Sequence, residues 1–437
     1  MVQEKGISQL IDELVSKSLA QIKKDKFNPG ISPVPVSGKS IDKKDLVSLI
    51  SSSLEGWFTS GIHTSEFEKG LAKYIGVRSA TFVNSGSSAN LLALTALTSQ
   101  KLGEKRLKPG DEVITVAMGF PTTINPIIQN GLVPVFVDIK LGTYDAIEDQ
   151  VMSAIGPKTK AIMMAHTLGN PFNVAFIQQI CEEHGLWLIE DNCDALGSIY
   201  DGKKTGSFGD TSTISFYPAH HITTGEGGAV LTNSPLLKKQ IESFRDWGRD
   251  CYCETGQDNT CQKRFGWKLG ELPEGYDHKY IYSNIGYNLK ATDMQAALGN
   301  SQLTKINEFV TIRRSNFDLL YEGLSKYEQF ILPSPTAKSI PSWFGFPITI
   351  KPGSSFARSD LINFLTSRNI GTRLMFAGNI LRQPGYSRIA HRKIGNLQNS
   401  DLVMENSFWL GVHPSLDSEM IQFVIDSISK FVETNSK

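Results

Sequence analysis

Between about Ser79 and Thr232, short apolar runs (EVITVA, VPVFVDI, KAIMMAH, LWLIED) alternate with helical segments such as LLALTAL and VAFIQQICEEHG. No other feature narrows the fold so far. Runs that are apolar throughout read as strands buried on both faces, and strands separated by helices pair in parallel through crossover connections. The pattern therefore predicts an α/β protein built on a mainly parallel sheet. A long amphipathic stretch from Thr292 to Tyr327 follows, then strand-like WFGFPITI, helix-like SDLINFLTSR and a closing helix near Met420 to Phe431. These read as a smaller α+β domain. Ahead of the alternation lie Ile7, Leu10, Ile11, Leu14 and Val15 at helical spacing and a Pro, Gly and Ser-rich linker from Asn28 to Lys39. Two helices, around Lys43 to Leu54 and Ser65 to Tyr74, come next. The expected division is residues 1–55 for the N-terminal segment and linker, 56–310 for a large domain and 311–437 for a small one.

Charge removes several classes of function. Lys plus Arg and Asp plus Glu number 44 each, so affinity resting on a broad basic surface is not expected and nucleic acid is excluded as a partner. No apolar run approaches the ~20 residues of a membrane-spanning helix. The start, MVQEKGISQLIDELVSKSLAQIKK, interleaves acids and lysines instead of building a signal-peptide core. A cytoplasmic protein is expected. Five cysteines without an export signal read as thiols or metal ligands, not as a disulfide framework.

Ligands of open parallel sheets sit at the carboxyl ends of the strands, which directs attention to the polar residues just after each run. Asn84-Ser85-Gly86-Ser87-Ser88-Ala89-Asn90 follows TFV and opens a helix. Its glycine, its serines and the unpaired N–H groups of a helix start suit a phosphate, or an ordinary Ser-rich cap. Glu190-Asp191 ends LWLIE, where a carboxylate holds a metal, caps a loop, or keeps a heterocyclic nitrogen protonated. Ser215-Phe216-Tyr217-Pro218-Ala219-His220-His221 precedes ITTGEGGAV and sets two histidines just past a strand end, for chemistry or for packing.

In the order SGSSAN, GFPTT, EDNCDALG, SFYPAHHITTGEGGAV and GYNLKATDMQAALG, from about Gly56 to Tyr386, the chain resembles the sugar aminotransferases of the DegT/DnrJ/EryC1 family. These are fold-type-I pyridoxal phosphate enzymes with an aspartate aminotransferase-like fold. The resemblance implies that Gly86, Ser87, Ser88 and Ser215 hold the phosphate, that Phe120 stacks on the pyridine ring, and that Asp191 pairs with its nitrogen. Asn288 resembles a residue that reaches the phosphate of the neighbouring subunit, which implies a homodimer. Asp194 stands where relatives carry His or Gln near the phenolic oxygen, and its role is cofactor contact or structure.

His220 stands where the family's aminotransferases carry the lysine that binds the cofactor covalently. An imidazole cannot make that bond, so the cofactor is expected to work as freely held pyridoxamine phosphate. With an unperturbed pKa of about 6.5, histidine still serves as a general base. The resemblance then points to a small histidine-for-lysine branch that removes the 3-hydroxyl of 4-keto-6-deoxy sugar nucleotides. Cys193, Cys251, Cys253 and Cys261, the last three in a cysteine-rich insertion at about 249–282, divide that branch. Their spacing alone suits a structural zinc as well as a 2Fe-2S cluster. Resemblance favours iron and sulfur, and with it a CDP-linked 4-keto-6-deoxyhexose substrate and an NADH-dependent iron-sulfur flavin reductase as electron donor. A cluster-free dehydratase recharged by glutamate and a non-catalytic regulator of the same fold are the alternatives. Tyr217 and His221 flank the expected base, and Arg245, Arg249 and Arg373 are candidates for a pyrophosphate.

Overall fold

Strands with no exposed face need cover on both sides, and the molecule supplies it. The computed structural model describes residues 6–22, 26–253, 256–260 and 262–435. Its large sheet uses β1 (Ser79–Val83), β2 (Glu112–Val116), β3 (Val133–Val137), β4 (Thr159–Ala165), β5 (Trp187–Asp191), β6 (Thr211–Ser215) and β7 (Gly228–Thr232). In space the order is β1-β7-β6-β5-β4-β2-β3. Only β7 runs antiparallel to its neighbours β1 and β6; the remaining pairs among these seven are parallel. Successive residues point to opposite faces and both faces are buried. Val113, Met163 and Ile189 pack on one side with Leu92 and Leu237, while Ile114, Ile162 and Leu188 pack on the other with Ile177. Each such side chain contributes roughly 1.5–3 kcal/mol on burial, and β6, Thr-Ser-Thr-Ile-Ser, is the strand that buries mostly polar side chains instead.

The small sheet takes β8 (Phe330–Ile331), β9 (Gly345–Ile350) and β10 (Arg373–Leu374), with β11 (Arg392–Lys393) returning to the large sheet beside β3, and then β12 (Ser407–Gly411). It is antiparallel throughout, in the order β8-β9-β12-β10.

Helices α1 (Ile7–Gln21), α2 (Lys43–Leu54), α3 (Ile62–Ile75), α4 (Gly86–Thr95), α5 (Pro121–Gln129), α6 (Val174–His184) and α7 (Pro235–Arg245) precede α8 (Asp293–Leu303), α9 (Ile306–Leu324) and α10 (Ser418–Asn435). Two of them differ from the sequence expectation for a definable reason. α3 begins at Ile62, ahead of Ser65, although its N-cap Gly61 has no side chain to offer. Asp293 Oδ1 instead accepts the N–H groups of Gly61 at 2.8 Å and Thr64 at 2.7 Å, a cap delivered from far along the chain. The amphipathic stretch 292–327 is two helices, broken where Lys305 turns its ammonium to Asp42 and Asp45 at the start of α2. Among the described residues no helix is long and apolar enough to cross a membrane.

Candidate active site

The turn from β1 into α4 is tight because two glycines permit it. A Cβ on Gly86 would lie 2.4 Å from the Cβ of Ser215, and one on Gly228 would lie 2.3 Å from the Ser85 carbonyl oxygen. The start of α4 is thereby pressed against the ends of β6 and β7. Ser85 caps the helix by accepting the Ser88 N–H at 3.0 Å, Ser87 is exposed in the first turn, and the buried Oδ1 of Asn84 has no partner. A helix N-terminus with serines in its first turn, held tight against the strand ends by glycine, suits a phosphate monoester.

Asp191 closes β5 and is almost fully buried. Its Oδ2 accepts from Asn90 Nδ2 at 2.8 Å and Thr123 Oγ1 at 2.6 Å, and its Oδ1 from the Cys193 N–H at 3.2 Å. Thr213 Oγ1 in turn donates to Asn90 Oδ1 at 2.6 Å, fixing which way the amide faces. Strands β5 and β6 and helices α4 and α5 thus all aim one carboxylate. Phe120, the N-cap of α5, leaves its ring half exposed and meets Phe376 edge-on at 5.8 Å. An oriented carboxylate, an exposed aromatic ring and a phosphate-sized helix start match the three parts of a pyridoxamine phosphate, and the residues fit that group.

The neighbouring Glu190 has the other fate open to a strand-end carboxylate. It is fully buried and accepts backbone N–H groups from Gly206, Phe208 and Gly209 at 2.9, 2.8 and 2.6 Å. His166 Nε2 donates to it at 3.0 Å, while His166 Nδ1 accepts from the Phe172 N–H. Glu190 therefore caps the loop after β5. Because donors face both of its oxygens, Glu190→Gln must set an amide N–H against another N–H. We expect it to lower unfolding free energy by about 3–5 kcal/mol, as when a buried pair loses one member; urea titration checks this, and a change under about 1 kcal/mol would contradict the loop-cap role.

His220 lies in the turn after β6, its ring tilted against Phe344 at a centroid distance of 5.0 Å. Nδ1 is sealed inside, 3.5 Å from Asp194 Oδ1 and without a hydrogen bond. Burial and then the Arg313 guanidinium pull the imidazole down to about 4. Burial and then Asp191 push the Asp194 carboxyl up to about 8. The shifts are opposite to those of an ion pair, burial favouring the uncharged form of both groups. A neutral histidine is ready to accept a proton.

The remaining candidates scatter. Tyr217 is half exposed beside His220, whereas His221 is buried and donates Nε2–H to the Ser342 carbonyl at 2.9 Å, a packing bond. Arg245 is engaged within the fold by Glu68, Asp246 and the Phe82 carbonyl. Arg249 lies over Trp247 at 5.0 Å, and Arg373 bends to its neighbour Thr372. Asn288 forms a backbone bridge with Asp246, and the next carbonyl, of Leu289, accepts the Asn84 N–H at 2.9 Å, so this segment borders the α4 turn of its own chain.

Cys193 sits two residues past Asp191, its thiol pushed well up by burial and by the acids on either side. Cys251 and Cys253 lie in the insertion, where Thr260 Oγ1 contacts Cys253 Sγ at 3.0 Å. Cys261 lies outside the described residues. Among the described residues no three His, Cys, Asp or Glu side chains gather to hold a metal ion. Cys181 on α6 is a buried thiol pushed up to about 12. Sequence reasoning missed Arg313, Thr123 and Thr213. Thr123 stands within the quoted motif GFPTT, but nothing in the sequence announces a buried guanidinium.

A model of the DegT/DnrJ/EryC1/StrS aminotransferase family matches residues 39–429. The chain is 55% identical over 430 residues to lipopolysaccharide biosynthesis protein RfbH of Salmonella typhimurium, covering 98% of each chain. It is 57% identical over 410 residues to dTDP-4-dehydro-2,6-dideoxy-D-glucose 3-dehydratase of Saccharopolyspora spinosa, covering 94% of this chain and 89% of that one. The solved structure of Escherichia coli GDP-4-keto-6-deoxy-D-mannose-3-dehydratase with bound hydrated PLP superimposes with a TM-score of 0.82 at 29% identity, covering 92% of this chain and 100% of that one.

Proposed function

The chain belongs to the DegT/DnrJ/EryC1/StrS aminotransferase family, and from that footing we propose that it catalyses the pyridoxamine phosphate-dependent 3-dehydration of CDP-4-keto-6-deoxy-D-glucose. The observation that carries the proposal is His220, an imidazole in the turn after β6 whose Nδ1 is shut in against Asp194 beside the cofactor cradle, where the family's transaminating members need an amine. Its relatives in sequence and in structure include proteins named as sugar-nucleotide 3-dehydratases, which supports the same reaction class.

The chain's own residues divide the work. The α4 N-terminus with Gly86, Ser87, Ser88 and Ser215 anchors the phosphate, the Phe120 ring covers one face, and Asp191 holds the ring nitrogen protonated. Bound there, pyridoxamine phosphate supplies a primary amine and an electron sink. His220 takes a proton at Nε2, since Nδ1 is sealed against Asp194, and an imidazole so charged can return that proton to the departing 3-hydroxyl. Tyr217, exposed three residues before His220, is a candidate to touch the sugar. The nucleotide is the least constrained part: the relatives' names carry dTDP and GDP, and CDP rests on the sequence resemblance.

The proposal extends to a 2Fe-2S cluster on Cys193, Cys251, Cys253 and Cys261, to an NADH-dependent flavin reductase as its electron source, and to a homodimer. What supports the cluster is the concentration of four of the five cysteines in the insertion and immediately past Asp191. The proton steps above do not pass through it. The alternative reading is cluster-free, with glutamate restoring the amine. One preparation decides between them. Anaerobically purified protein should contain iron, absorb broadly beyond the cofactor band and give an EPR signal on reduction. Iron-free protein that turns over with glutamate alone would exclude the cluster, and protein that never binds the coenzyme would exclude the enzyme reading altogether.

A further inference from the structure

Arg313 is among the largest side chains with almost no solvent exposure, and the one carboxylate among the described residues that acts on it, Asp194, does so through space without a hydrogen bond. A guanidinium taken out of water is costly unless its donors are met. Here its two terminal nitrogens are met by four backbone carbonyls from two separated segments, while the buried Nε–H is left without a partner. Nη2 donates to Ala219 at 3.4 Å and His220 at 3.1 Å, while Nη1 donates to Trp343 at 3.3 Å and Phe344 at 3.2 Å. One turn further along the same helix, Phe317 stacks on the Trp343 ring at 3.9 Å, so α9 grips the strand entry twice. The Phe344 ring in turn lies 5.0 Å from the His220 ring.

We propose that Arg313 is the positioning residue of His220: its planar fork ties the carbonyls of the histidine turn to those leading into β9 and so fixes where the imidazole stands. The inference rests on the reading of His220 as the proton-accepting group. The fork matters because its five N–H donors lie in one plane at fixed angles, whereas an ammonium offers three donors on a flexible stem and cannot bridge both carbonyl pairs. A base displaced by an ångström loses about a hundredfold in rate while substrate affinity, built from other residues, stays.

The test uses the full chain. Arg313→Lys should lower kcat by about 10- to 100-fold with KM changed less than about threefold. In the cofactor-free protein labelled with ¹⁵N-histidine, the His220 ring signal, identified by its loss in His220→Gln, should shift or broaden while the other histidine signals hold. A folded Arg313→Lys protein with wild-type kcat, or with an unmoved His220 signal, overturns the proposal. His220→Gln assayed alongside separates the two readings, since full activity there removes His220 as the base whatever Arg313 does. If Arg313→Lys does not fold, Phe344→Leu carries the test, because it spares both carbonyls. A kcat within about threefold upholds the backbone clamp, and a loss of tenfold or more assigns the positioning to the ring instead.

Discussion

His220→Lys is expected to tether the coenzyme to the polypeptide and to lower sugar dehydration by at least about 10³-fold, the scale of a positioned general base. The environment that keeps the imidazole uncharged acts on an amine in the same direction. Burial and the adjacent Arg313 guanidinium both penalise a second cation at this position, so the introduced amine should be drawn well below the usual lysine range and left nucleophilic. A transaminating outcome with glutamate should appear in place of water loss. Borohydride reduction followed by mass spectrometry of the intact chain reads the first effect, and release of deoxygenated product reads the second. In the wild-type chain borohydride should leave no coenzyme attached. An unchanged dehydration rate in the variant would remove His220 from the reaction, and permanent tethering in the wild type would place a reactive amine elsewhere in the site.

How much of this was legible beforehand depends on the range of the interactions. The run at Val113–Val116, apolar but for Thr115, and the pair Leu188–Ile189 announce double-faced burial locally, and the parallel sheet follows. The start of α3 does not, because its cap is Asp293, more than two hundred residues away and invisible to any local pattern. The same contrast runs through the site. Asp191 and Gly86 stand at strand ends where position alone is informative, and their motifs sit in one window each. Arg313 is a mid-helix arginine by sequence, indistinguishable from the exposed ones, and acquires its surroundings only when α9 packs under the 219–220 turn. Glu190 and Asp191 are adjacent acids that sequence treats alike, yet the pleat turns one into a loop cap and the other toward Asn90 and Thr123.

Asp191→Asn is the second substitution expected to act strongly, with a loss of about 10³-fold in kcat, equivalent to about 4 kcal/mol of transition-state stabilisation. The hydrogen-bond pattern makes the direction specific. Asn90 Nδ2 and Thr123 Oγ1 both donate to Oδ2, and Thr213 prevents the Asn90 amide from reversing by holding its Oδ1. An amide at this position must therefore turn its oxygen to those two donors and its NH₂ outward. A donor facing the heterocyclic nitrogen favours the unprotonated ring, whereas a carboxylate favours the protonated one that withdraws electrons. Size barely changes, but the NH₂ then faces the Cys193 N–H that Oδ1 accepted at 3.2 Å, so the variant should lose roughly 1–3 kcal/mol of stability, well short of the rate loss, and retain coenzyme through its phosphate. Kinetics and thermal melting of the same preparation check this together. Wild-type turnover in the variant would mean that the carboxylate at the end of β5 serves only to pin α4 and α5, and equal losses of stability and rate would point the same way.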